Sequence, residues 1–131
     1  MLRERALKVA LVLVGLLFLA GIYPVAVSFL RPGQADYEMM MLSLYVTLGV
    51  FLLLAVRNPS AHRSLIAFTA WSSFAHGAVM AAQAFQHPDE RDELLGAVAG
   101  LVVVGIALIS LAPAKPSAAP ARADTAYAKS H

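Results

Sequence analysis

The chain contains no cysteine, which excludes disulfides, thiolate metal sites and cysteine nucleophiles. Charge is scarce too. Only 14% of the 131 residues are Asp, Glu, Lys or Arg, against about a quarter in an average soluble domain. With 60% hydrophobic residues, composition alone points to a membrane class. The formal charge of +2 is too small to argue for nucleic acid as a partner, and there is no basic stripe with interleaved aromatics. The sequence also lacks a Ser-His-Asp set, paired buried carboxylates, zinc-ligand spacing and a phosphate loop. No catalytic residue, cofactor or metal site is therefore assigned.

What is present is a set of long apolar runs. A helix of about 20 residues, at 1.5 Å rise each, crosses the roughly 30 Å hydrocarbon core of a bilayer. Residues 64–85 are long and apolar enough for this, yet they carry Thr69, Trp71, Ser72, Ser73, His76 and Gln83. Polar side chains at that depth are costly and are expected to face neighbouring helices. Three further spans are expected at 9–30, 37–56 and 93–111. The first follows a basic start (Arg3, Arg5, Lys8), is longer than a usual signal core and is not closed by a clear small-x-small cleavage site, so an uncleaved helix is expected rather than a signal peptide. Pro24 is expected to kink or end its regular part.

The connections carry turn and cap signals. Residues 31–35 (RPGQA) form a turn cluster, Asp36 is placed to cap the second helix, and Glu38 suits its first turn. Asn58 followed by Pro59 predicts the start of the third helix. His87-Pro88 ends it, and Asp89, Glu90, Asp92 and Glu93 gather where the next helix begins. Residues 113–131 are rich in Ala, Pro and Ser, a composition expected to stay disordered.

These signals predict an all-α domain over residues 1–112, a four-helix transmembrane bundle running up-down-up-down. Eight of the ten Lys and Arg residues fall in the amino terminus, the turn over 57–63 and the tail. The positive-inside rule then places both termini in the cytoplasm. Arg57, His62 and Arg63, with Arg3, Arg5 and Lys8, are read as headgroup and topology residues. Tyr23, Phe29 and Tyr37 fit an outer aromatic belt, whereas Trp71 lies too deep for the inner one. Thr69, Ser73, Gly77 and Ala81 recur every four residues on the third span, and Gly96 and Gly100 on the fourth. Such stripes permit close helix packing, within one chain or against a second subunit.

His76 is the one ionisable residue well inside a span. It lies about 13 Å below the outer end of its helix by rise per residue. Ser72 and Ser73 sit one turn away and Gln83 two turns on, near the same face. On the second span Tyr45 falls about 12 Å down, with Thr47 about 3 Å deeper and Ser43 about 3 Å shallower. A His76–Tyr45 contact is therefore easier to reach than a His76–Met41 ligand pair. Two readings stay open. In one, His76 is neutral and holds helices in register. In the other, it serves a ligand, a proton relay or a quinone-like molecule. Bis-histidine haem lacks a second histidine at depth, and the Met39–Met41 triplet carries little of a copper site, since methionine is also a gap-filler.

The turn RNPSAHRS over residues 57–64, followed by Trp71-Ser72-Ser73 and His76, resembles a family of small bacterial four-helix membrane proteins of unknown function. The resemblance covers Arg3 to Ala114. It implies a multi-pass protein of the bacterial inner membrane and supplies no activity or catalytic residue to transfer. Small multidrug exporters are of similar size but depend on a carboxylate in the first helix, and no acid lies between Glu4 and Asp36 here. DoxX-like proteins also have four helices, with no shared motif. The sequence leads to a non-enzymatic accessory or interaction subunit of a larger membrane complex or homo-oligomer. The alternatives are a bundle binding a small molecule at His76 and an oligomeric transporter.

Overall fold

The structure is a computed structural model that describes residues 1–30 and 36–117, apart from the side chains of Ser28, Asp36 and Tyr37. The expected turn at 31–35, the cap at Asp36, the belt role of Tyr37 and the tail beyond Ser117 lie outside the described residues. Every described regular element is helical: α1 (Leu2–Leu19), α2 (Ile22–Leu30), α3 (Asp36–Ala55), α4 (Arg63–Gln86) and α5 (Arg91–Leu111). These make four rods long and apolar enough to cross a membrane, over Leu2–Val27, Glu38–Ala55, Pro59–Gln86 and Pro88–Leu111.

The first rod begins well before the apolar run. Arg3, Glu4, Arg5 and Lys8 are good helix formers, and Glu4 pairs with Lys8 one turn on at 2.9 Å. The rod is interrupted at Ala20–Gly21 rather than at Pro24 itself. A proline ring clashes with the carbonyl four residues earlier, here Ala20, and cannot donate to it. The ladder tightens in response: Gly21 donates to Phe18 and Tyr23 to Ala20, each three residues back.

The turn between α3 and α4 is built as its sequence suggests, with one extra step. Asn58 Oδ1 accepts from the Ala61 amide, and buried Pro59 opens a single 3-10 turn, Pro59–His62, that feeds directly into α4. A second 3-10 turn, Pro88–Glu90, joins α4 to α5, and Asp92 and Glu93 occupy the first turn of α5. At the other end of α5 the last carbonyls have no helical partner. Arg3 reaches across and donates to Ser110 O at 3.2 Å and Ala112 O at 2.8 Å. The positive guanidinium at a helix C-terminus also suits the helix dipole. Arg3 thus clasps the first rod to the last.

The order around the bundle follows from the packing. α1 lies between α3 and α5, α4 packs along α5, and α3 and α4 touch only sparsely. Leu7, Leu11, Val14 and Phe18 recur at alternating steps of four and three, a seam on one face of α1. They are buried with Leu52, Ala55, Ile66, Ala70 and Leu108. α1 and α3 cross where two glycines meet. A Cβ added to Gly49 would stand 2.8 Å from the Gly15 carbonyl oxygen and 3.1 Å from the Leu19 nitrogen. Neither backbone has room to yield. Phe74 of α4 seats its ring on Gly105 of α5 in a similar way.

The stripe on α4 meets α5: Thr69, Ser73 and Gly77 are buried, and a Cβ at Gly77 would touch Leu101 at an ordinary 3.7 Å. Ala81 is half-buried. Gly96 and Gly100 do not join that contact. Both are exposed, and a Cβ at either would meet no described residue within 4 Å. The one-sided pairing has a simple cause: α4 packs on the α5 face that carries Leu101, Gly105 and Leu108, and the two glycines lie off it.

Candidate functional site

The sparse contact between α3 and α4 leaves a cleft of about 470 Å³, within the range of small-molecule sites. Met41, Leu44, Tyr45, Leu48 and Phe51 line it from one side, joined by Thr47. Apart from Thr47 they recur at three- and four-residue steps, one face of a helix. Phe68, Ser72 and His76, each one turn apart, line it from α4. None of these residues carries a formal charge, so the cleft is an apolar slot with a few polar atoms.

The polar atoms centre on one bond. Tyr45 Oη and His76 Nδ1 lie 2.6 Å apart, and the rings meet edge to face at 5.5 Å between centroids. Tyr45 is held from behind by Phe18, edge-on at 5.0 Å. α1 therefore fixes the tyrosine and the tyrosine fixes the histidine, although α3 and α4 barely pack. His76 Nε2 makes no hydrogen bond with any described residue, and it is not sealed inside the protein. It is the free polar atom of the pair.

The remaining hydroxyls are turned onto their own helices. Ser72 and Ser73 both donate to Thr69 O, and Thr69 donates to Leu65 O. Thr47 donates to Ser43 O. Their protons are used, and their lone pairs remain as acceptors. Of the residues singled out in the sequence, the cleft brings together His76, Tyr45, Ser72 and Thr47. Ser73 faces the α5 side as a buried residue, and Gln83 is exposed about 10 Å along the helix from His76. Serine does not hold the imidazole; tyrosine does.

Leu44, Leu48, Phe51 and Phe68 were not singled out from the sequence. Their signal was available as a helical stripe through Tyr45 and a four-residue ladder through His76. Among the basic residues, Arg5, Arg57 and His62 are exposed, while Lys8 and Arg3 are engaged as described. Arg63 Nε is buried with no hydrogen-bond partner among the described residues. Among the described residues no three His, Asp or Glu side chains converge as a metal site.

A family model described as a family of unknown function matches residues 3–126, beyond the end expected at Ala114. No curated protein and no solved structure matches the chain.

Proposed function

Because the chain belongs to the family of unknown function (DUF6632), we propose a function from its own geometry: it binds a small apolar molecule dissolved in a membrane. The observation carrying this reading is the α3–α4 cleft, whose walls are apolar and whose polar atoms are gathered at Tyr45 and His76. Pockets of this kind, mostly apolar with a few convergent polar groups, are the usual form of small-molecule sites.

The setting is a bilayer, and exposed side chains support it. Leu13, Leu17, Phe29, Val79 and Val103, all outside the cleft, are more than half exposed. Patches of this extent are unfavourable in water and suited to hydrocarbon. We place the protein in the bacterial inner membrane with both termini cytoplasmic, on the Lys and Arg asymmetry of the connections. The absence of cysteine makes this simple to test. Ser60→Cys should react with an impermeant thiol reagent only in opened cells, and Asp89→Cys in intact ones. The reverse pattern would refute the orientation.

Filling the cleft tests the binding reading. Leu44→Trp adds bulk at the rim of the cleft, whereas Leu13→Trp adds the same bulk at a similarly exposed position on α1 outside it. The protein and the Leu13→Trp control should retain a co-purifying apolar molecule, read by mass spectrometry of the extract, and Leu44→Trp should lose it. Equal retention by all three would remove the cleft from consideration.

A second reading, the accessory or interaction subunit, is favoured by Gly96 and Gly100. They stand on an exposed face with open space above them, where a helix from another subunit could approach closely. Gly100→Leu should then shift the protein to a smaller species in mild detergent; an unchanged size would dismiss this reading.

A further inference from the structure

Resting on the binding reading above, we infer that the α3–α4 cleft takes a quinone or its quinol, with one ring oxygen hydrogen-bonded at the His76–Tyr45 pair. The first ground is charge. Among the described residues no Lys or Arg lines the cleft, so a phosphate or carboxylate headgroup would enter it without a counter-ion from them, at a large desolvation cost. The head must be neutral.

The second ground is hydrogen-bond type. The contact between Tyr45 Oη and His76 Nδ1 is compatible with two neutral tautomers. When Tyr45 donates to Nδ1, the ring's proton is on Nε2, which then donates to a ligand carbonyl. When Nδ1 carries the proton and donates to Tyr45 Oη, Nε2 becomes an acceptor for a ligand hydroxyl. A carbonyl and a hydroxyl at the same ring position are what distinguish a quinone from its quinol. The pair holds either form, and no electron transfer is assigned to it.

The third ground is shape. Phe51 lies about 9 Å along α3 from Tyr45, and Phe68 about 12 Å along α4 from His76, both toward the α3–α4 turn. The cleft thus offers hydrogen-bonding atoms in one part and two aromatic side chains farther along, with Leu48 between them. An oxygen-bearing ring followed by a hydrocarbon tail matches that sequence of surfaces. Phospholipid matches the tail alone.

The test uses the full chain in lipid nanodiscs and four probes: a decyl-tailed benzoquinone, its quinol kept reduced, decylbenzene and phosphatidylglycerol. Each is assayed for retention on the protein, on Leu44→Trp and on Tyr45→Phe. Quinone and quinol should bind within about threefold of each other, and decylbenzene about tenfold or more weaker, the size of one buried hydrogen bond. His76→Ala should weaken quinone about tenfold and leave decylbenzene unchanged, and Tyr45→Phe, which keeps Nε2 but no longer orients the ring, should weaken quinone about threefold. Tyr45→Phe keeps the test valid if His76→Ala fails to fold. If decylbenzene or phosphatidylglycerol binds as well as quinone and Leu44→Trp blocks it, the quinone assignment fails and the cleft survives. If Leu44→Trp blocks none of the probes, the binding reading fails with it.

Discussion

Gly49→Leu is expected to separate the first rod from α3 and to cost about 3 kcal/mol or more in detergent unfolding, at the upper end of overpacking penalties. The size follows from what the new side chain meets. Its Cβ alone would lie 2.8 Å from a backbone oxygen, with the Leu19 nitrogen and Phe18 Cβ at 3.1 Å. Helix association in lipid has no hydrophobic effect to draw on and depends on close van der Waals contact. Pushing the two backbones apart removes that contact along the whole crossing. Gly100→Leu provides the contrast, since its Cβ meets no described residue within 4 Å, and it should change monomer stability by less than about 0.5 kcal/mol. Equal effects from the two substitutions would show that the Gly15–Gly49 crossing does not organise the bundle. The consequence should reach the cleft as well, because Phe18 supports Tyr45 across the same crossing.

The double variant Tyr45→Phe/His76→Leu is expected to fold about as well as the unmodified protein and to bind quinone about tenfold more weakly, the loss of one ligand hydrogen bond. Removing both partners of a hydrogen bond leaves no unsatisfied group, and interhelical polar pairs average only about 0.6 kcal/mol. The ligand, by contrast, would lose the hydrogen bond made at His76 Nε2, worth about tenfold. Stability and binding therefore separate. A register-holding histidine predicts the opposite: lower stability with unchanged ligand retention. Parallel unfolding and retention measurements on one preparation decide between them.

Much of this arrangement can be read from the chain, for identifiable reasons. The spans expected at 37–56, 64–85 and 93–111 agree with α3, α4 and α5 to within about two residues, the usual fuzziness of helix ends. The first differs more, because hydropathy marks where hydrocarbon begins and not where helix begins. The pairing of His76 with Tyr45 follows from depth: two helices rising at a common rate bring residues at equal depth side by side, and the hydrogen bond at 2.6 Å lies at that level. The close crossings were less legible. Gly15 and Gly49 are single glycines in unrelated runs, with no repeat to mark them as a pair. Gly96 and Gly100 have the repeat and no neighbour among the described residues. A small residue shows where a helix allows close approach; which helix takes it depends on the order around the bundle. The cleft arises from that same order, since α3 and α4 are joined by a short turn yet pack chiefly on α1 and α5.

Nitrogen-15 NMR of the His76 ring in lipid nanodiscs examines the Tyr45–His76 cleft most directly. Two ring signals of a neutral imidazole are expected, with the Nδ1 signal shifting in Tyr45→Phe and the Nε2 signal shifting when decyl-tailed benzoquinone is added. Signals indifferent to both Tyr45→Phe and the quinone would contradict the cleft as a binding site and leave His76 without the role assigned to it.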